Sequence, residues 1–575
     1  MRLVKPKHYQ ITAAALAALL PLAASASQPE TAGRPTTMAP RAMVVTPHYL
    51  ASQSALKVLE RGGNALEAAI AASATISVVY PHYNAIGGDN FWLIYNAKTG
   101  EMTGLNASGR SSELATIEFY KSKGLDQIPA RGWLAANTVP GVVSGWGEAH
   151  RYAQSKMGGK VSWKTLLADA VGYAEKGFPV SIGQAKWTRI ATDENDKVIK
   201  NLQRFPSFAA TYLKRDGSPY DVGEVFVQKD LARTLKRIAE KGDREFYEGE
   251  TARMIAADVK ANGGVLTLKD LKEHRANWVK PITVKYRGLD AYNLPPNTQG
   301  MASLSILNIL NNFDVKALGD GSPDYVHLIV EATKQAFADR DKYLTDPEFN
   351  KIPLDFLLSK AHGKDLAKRI DMKKAATTVT PLDPKGDTVW IGIVDEAGNA
   401  VSMIQSHYFD WGAGVVAKGT GVLLQNRGSF FSLDPNHVNH LEPGKRTFHT
   451  INPAMALKNG KPYVVYGTQG GEGQPQTQAA VLTRIVDFGL PVQSAIEAPR
   501  WLHGRAWGST GNGLSLEGRW SSDVVEKLKD RGHPIKVIEN FTDTMGTSGA
   551  ILIDPATKVK FGGADPRGDG AAVGF

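Results

Sequence analysis

The chain of 575 residues contains no cysteine, which excludes disulfide staples, thiol catalysis and thiolate metal sites in one step. Its formal charge of +10 falls to 10 − 3 = +7 without Arg2, Lys5 and Lys7, and the other basic residues are dispersed, as on a solvated surface and not a nucleic-acid footprint. A hydrophobic content of 42% with 57 glycines describes a globular chain with a large core and many tight turns.

Residues 1–26 read as a secretory signal. Three basic residues precede the apolar run 11–20, and Ala24-Ser25-Ala26 supplies a small-x-small cleavage site. The run is too short to span a bilayer comfortably and no later stretch is apolar enough, so export to the periplasm or medium without stable membrane insertion is expected.

Apolar residues at helical spacing predict a helix over 48–61, closed by Gly62-Gly63. Asn64 with Glu67 has the form of a capping box opening a second, alanine-rich helix to about Val79. Gly87-Gly88-Asp89-Asn90 leads into the buried-strand run 91–95, and the loop 106–112 holds one arginine, Arg110, among small residues. Residues 161–376 read as mainly helical, the clearest helix covering 324–343. Residues 371–385 have the mixed Thr/Pro composition of an exposed connection, where chain cleavage is tolerable. Strands then take over: 389–394 and 400–406 form a hairpin about 395–399, and helices over 476–488 and 522–531 lie among further strands. Helix-rich first and strand-rich last predicts layered α+β packing.

Several chemistries fail on context. The Gly412-x-Gly414-x-x-Ala417 pattern is followed by Gly419-Thr420-Gly421 and no helix, so it is not a dinucleotide loop. There is no Gly-x-Ser-x-Gly elbow and no phosphate-cradling Gly-Lys-Ser/Thr loop. His437 and His440 lie in a polar loop without a third ligand, which reads as surface and not as a zinc site. The strand opened by Asp387-Thr388 admits two readings. Thr388 is an ordinary β-branched strand residue, or cleavage before it makes it an N-terminal nucleophile with its own α-amine as base.

Ordered stretches along the mature chain decide between them. They include Gly62-Gly63-Asn64-Ala65, Ile86-Gly87-Gly88, Val139-Pro140-Gly141, Ala336-Phe337-Ala338-Asp339-Arg340, Gly467-x-x-Gly470-Gly471, Ala498-Pro499-Arg500 and Asp565-Pro566-Arg567. The chain resembles the γ-glutamyltransferase (glutathione hydrolase) family of N-terminal-nucleophile hydrolases over nearly its whole mature length. The resemblance implies an α+β fold, the four-layer αββα sandwich, and a precursor that cuts itself between Asp387 and Thr388. The large fragment would be 27–387 and the small one 388–575, together forming a heterodimer. By the same resemblance Thr388 is the nucleophile, Ser406 orients it, Gly470 and Gly471 form the oxyanion hole, and Arg110 binds the donor's α-carboxylate. No cofactor and no metal is implied.

The donor pocket departs from the family pattern. Gln425-Asn426-Arg427-Gly428-Ser429-Phe430 stands where Asn-Asn-Gln/Glu and an aspartate three residues on are usual, so Arg427 replaces a neutral or acidic residue and Phe430 the aspartate. His449-Thr450 replaces Ser-Ser, and Tyr408 replaces an asparagine. The segment 432–445 is short for a lid, which predicts a more open site. A guanidinium in place of a carboxylate disfavours an ammonium and favours a second acid group. The leading expectation is a γ-glutamyl hydrolase/transferase acting on glutathione or related amides, with water, an amino acid or a peptide as acyl acceptor. The alternatives are a glutaryl or cephalosporin acylase with the same nucleophile, the branch this pocket also resembles, and an uncleaved inactive binding relative.

Overall fold

The computed structural model describes residues 31–195, 201–377, 387–504 and 513–575. The secretory-signal reading and the segment just before Asp387 fall outside them. Two seven-stranded antiparallel sheets lie face to face. The first runs Ala571–Gly574, Met43–Thr46, Asp387–Val394, Ala400–Tyr408, Asp89–Asn96, Glu101–Ala107, Asn277–Val279. The second runs Thr37–Ala39, Lys560–Ala564, Ser548–Ile553, Lys461–Thr468, Ala454–Lys458, Leu289–Asn293, Ile282–Tyr286. Both sheets draw strands from before and after the 387–388 junction, so the two predicted fragments are interwoven in one body.

Side-chain alternation builds the layers. Val389, Ile391 and Ile393 point outward from the first sheet into a core shared with the helices Tyr49–Glu60, Ala65–Val79 and Val142–Lys156. Trp390 and Val394 point the other way and pack between the sheets with Val45, Phe91, Met455, Val465 and Ile551. On the far side Ala456, Val464 and Ala550 meet the helices Gly300–Leu310, Pro323–Tyr343 and Gln474–Val486. This is the four-layer αββα sandwich of the N-terminal-nucleophile hydrolases. Each buried aromatic such as Trp390 contributes on the order of 3 kcal/mol through lost apolar exposure.

Local sequence signals hold well where the partner is close in the chain. The Asn64–Glu67 capping box is present in both directions. Asp395 extends it from the neighbouring hairpin, accepting the Ala65 N–H at 2.9 Å and so satisfying another free donor of that helix's first turn. Residues 161–376 differ from expectation: within this stretch the hairpin Ile282–Tyr286/Leu289–Asn293 forms the outer edge of the second sheet. Its turn has positive φ at Arg287 and Gly288, and Val284 and Tyr286 face the core while Thr283 and Lys285 face solvent. That alternation is too short to stand out among helices.

Candidate active site

Thr388 shares the strand face of Trp390 and Val394, so its side chain enters the layer between the sheets, where it is fully buried. The ladder to the neighbouring strand is irregular here: Asp387 pairs with Tyr408 but Val389 with Gln405. Two residues, Ser406 and His407, therefore oppose the single Thr388. Such a bulge re-aims side chains at a functional edge, and Ser406 is as buried as Thr388. Gly88 backs this pair, since a Cβ there would run into the Ser406 carbonyl. After the bulge the Tyr408 backbone takes a positive φ of 86° and its N–H donates to Ser406 Oγ at 2.8 Å. A left-handed tyrosine is a strained position, and here it turns the chain at the site.

The second sheet supplies the opposing wall. Past the strand Lys461–Thr468, Gly470 (φ 116°) and Gly471 (φ 52°) turn the chain into the helix Gln474–Val486. Only glycine holds φ near 116° without strain, and the turn precedes the partially positive end of a helix. Gln474, the first residue of that helix, approaches Thr388 Oγ1 with its Nε2 at 3.4 Å. Its Oε1 accepts from Asn452 N at 3.2 Å, which fixes the amide's orientation. Behind it, buried Arg340 bonds Glu472 at 2.8 Å and Gln299 at 3.0 Å, and Gln299 donates to the Thr450 and Gly471 carbonyls at 2.7 and 3.0 Å. These contacts tie the glycine turn to Thr450.

Arg427 completes the pocket. It is 1% exposed, its guanidinium lies 4.2 Å from the Tyr408 ring centre, and it donates to Ser406 Oγ at 3.3 Å and Thr450 Oγ1 at 3.1 Å. Its Nε has no partner, and among the described residues no carboxylate oxygen lies within 4.0 Å of the group. Burial lowers its pKa to about 10, so it is charged at neutral pH. A carboxyl group stands behind: Asp89 accepts from Gly109 N, Gly141 N and Gln425 Nε2, each at 3.1 Å, and its other oxygen is 3.2 Å from His449 Nε2. Burial pushes Asp89 up to about 7, with Arg427 opposing the rise. His449 is driven well below the usual histidine range by burial and by Arg427, so it is neutral.

Thr388, Ser406, Tyr408, Arg427, His449, Thr450 and the Gly470-Gly471 turn are thus gathered, and Phe430 stacks on Tyr408 at 4.9 Å and against Phe448 at 4.6 Å. Asn426 is spent on backbone, donating to the Ala130 carbonyl at 2.7 Å and accepting from Phe409 N at 3.1 Å. Arg110 pairs with Glu348 at 2.6 Å and Asp346 at 3.4 Å and lines a cleft of about 420 Å³ with Lys269, His274 and Asn277, while its neighbour Gly109 donates to Asp89. The expected open site is not found among the described residues: Thr388, Ser406, Arg427 and His449 are each at most 1% exposed. His437 and His440 stay in their loop, His440 Nε2 facing Glu442 at 2.6 Å.

Gln474, Asp89, Gln299 and Arg340 carry the site without having been singled out for it. Arg340 lies within a stretch that marked the chain as family-like and Asp89 directly follows another, Ile86-Gly87-Gly88, which was the available signal. The model of the gamma-glutamyltranspeptidase family matches residues 51–575. The chain belongs to the gamma-glutamyltranspeptidase family. Among its relatives, the glutathione hydrolase-like YwrD proenzyme of Bacillus subtilis is 48% identical over 93% of this chain and 98% of that protein. The oxamate amidohydrolase proenzyme of Klebsiella pneumoniae is 45% identical over the same shares. Of solved structures, the cephalosporin acylase of Bacillus halodurans is 38% identical with a TM-score of 0.85, covering 96% of this chain and 98% of that one. For a gamma-glutamyltranspeptidase relative with this geometry, amide hydrolysis through a proenzyme is the common denominator.

Proposed function

We propose that this protein is a self-processing amidohydrolase in which Thr388 forms an acyl-enzyme with small amides whose acyl half ends in a carboxylate. The observation that carries the reading is Arg427, a buried guanidinium beside Ser406 with hydroxyl partners and, among the described residues, no carboxylate oxygen within 4.0 Å. A buried charge that is only partly compensated is costly, by several kcal/mol after relaxation, and an anionic substrate offsets that cost.

Processing begins when Thr388 Oγ adds to the Asp387 carbonyl, the amide becomes an ester, and water releases the Asp387 carboxylate. The freed α-amine, with an ordinary pKa of ~8, is neutral in a usable fraction and takes the hydroxyl proton in turnover. The Gly470 and Gly471 N–H groups would receive the oxyanion, a donor typically worth ~3 kcal/mol. The amine leaves with the proton, and water then hydrolyses the acyl-threonine ester.

Reach favours short acids. Thr388 and Ser406 are cross-strand neighbours, about 5 Å apart at Cα, and Arg427 reaches Ser406 itself. A carboxylate on Arg427 with its carbonyl at Thr388 suits an acid in which the two groups are adjacent or one methylene apart, in keeping with the name of the oxamate amidohydrolase relative. The second reading is γ-glutamyl hydrolysis or transfer, supported by the glutathione hydrolase-like relative and by Arg110 at the position that binds an α-carboxylate in the family. Matched oxalyl, malonyl, glutaryl and γ-glutamyl anilides decide: the expected order of kcat/KM falls with chain length, and a tenfold preference for γ-glutamyl would hand the site to the second reading. Export through residues 1–26 is also proposed; a mature N-terminus at Ser27 on sequencing is the expected result.

A further inference from the structure

In the second helical layer, three ligating side chains from both sides of the 387–388 junction converge. His327 and Glu331 stand one turn apart on the helix Pro323–Tyr343, and His533 follows the helix Ser522–Asp530. All three are buried, and one ligand atom of each lies within 4.8 Å of the others. His327 Nδ1 is 2.7 Å from His533 Nε2. His327 Nε2 faces the Asp371 carbonyl at 2.9 Å, so it carries the proton and leaves Nδ1 a lone pair. A backbone carbonyl on the far nitrogen is the usual outer contact of a metal-binding imidazole. His533 Nδ1 has no hydrogen-bond partner, so the contact between the two rings leaves the pair incompletely satisfied.

Lys334 is the competing group. Its ammonium donates to Glu331 Oε1 at 2.6 Å and to the Ala376 carbonyl at 2.8 Å, while Glu331 Oε2 accepts the Ala376 N–H at 3.1 Å. The ammonium balances Glu331 in the manner of a bound cation, and its second acceptor lets it turn away and stay bonded.

We propose that His327, Glu331 and His533 bind a divalent ion of the zinc class, and that the ion ties the two fragments of the processed chain together. Two imidazoles and a carboxylate match zinc's donor preference. His327 and Glu331 precede the junction and His533 follows it, so an ion here bridges the fragments of a chain that has no cysteine for a covalent staple. The bridging role rests on cleavage at Thr388; ion binding does not.

The test is zinc titration of chelator-stripped protein by calorimetry and native mass spectrometry, on the wild-type chain and on unprocessed Thr388→Ala. One Zn2+ per chain is expected in both. His533→Gln, which keeps a donor toward His327, should weaken binding at least 100-fold, and Lys334→Met should keep or tighten it. In processed protein zinc should raise the urea midpoint at which the fragments separate. No stoichiometric uptake, or uptake unchanged in both His533→Gln and His327→Gln, overturns the site. Full uptake without any change in that midpoint overturns the bridging role, and a gel reports processing independently of both.

Discussion

Arg427 Nη2 meets Ser406 Oγ at 3.3 Å on the strand that pairs with the one opening at Thr388, which sets a buried positive charge beside the candidate nucleophile. Replacing it separates function from stability. Arg427→Met removes the cation and keeps the apolar stem over Tyr408. Losing one partner of a buried charged contact typically costs 2–5 kcal/mol of binding, so kcat/KM on an acidic monoamide should fall at least about 30-fold, while a neutral acyl amide of equal size loses little. The unfolding midpoint should hold or rise, because a buried charge with no direct carboxylate partner among the described residues is gone. Equal losses on both substrates would remove Arg427 from acyl recognition.

Thr388→Ala should leave one full-length band on denaturing electrophoresis and no turnover. Thr388→Ser keeps a hydroxyl without the methyl that fixes its rotamer, so slower cleavage with residual activity is expected. N-terminal sequencing of the small fragment checks the position. A new terminus anywhere but Thr388, or turnover persisting in the alanine variant, would refute the nucleophile assignment.

What the sequence made legible was local. The Asn64–Glu67 box, the Gly62 terminator and the hairpin over 395–399 each depend on residues a few positions apart, and each is found. The site needed the family resemblance, because its contacts bridge distant segments: His449 meets Asp89 across 360 positions and Gln474 meets Thr388 across 86. No periodicity encodes such pairs. Arg110 shows the reverse difficulty. The family pattern gives it a carboxylate-binding role, while in this structure it is engaged by Glu348 and Asp346.

Gln474 is expected to act as a positioning residue. Its Nε2 lies 3.4 Å from Thr388 Oγ1, and its Oε1 is anchored by Asn452. Gln474→Leu removes that contact and leaves the Asn452 N–H without its acceptor. A net hydrogen bond of about 1 kcal/mol corresponds to somewhat under tenfold, so both the self-cleavage rate and kcat should fall by roughly that factor with KM little changed. Gln474→Glu, which keeps the acceptor for Asn452, should restore stability but not rate. If the leucine variant slows neither process, the contact is incidental.

Asp89 gives the site a pH dependence whose sign is fixed. Its folded pKa, pushed up to about 7 by burial, lies above the ordinary value of 3.8. The folded state therefore favours the protonated carboxyl, and this contribution to stability is fully present below about pH 4 and lost as the pH rises through 7. A shift of that size corresponds to at most about 4 kcal/mol, at 1.36 kcal/mol per unit. Asp89→Asn keeps an acceptor for the Gly109 and Gly141 N–H groups and abolishes the titration. The wild-type chain should lose stability relative to this variant between pH 4.5 and 7.5, read as urea midpoints at the two pH values. Ionised Asp89 also offsets the Arg427 charge, so the wild-type KM for an acidic monoamide should rise through pH 7 while that of the variant stays flatter. Parallel stability profiles for the two proteins would show that Asp89 does not titrate in this range, and parallel KM profiles would uncouple it from Arg427.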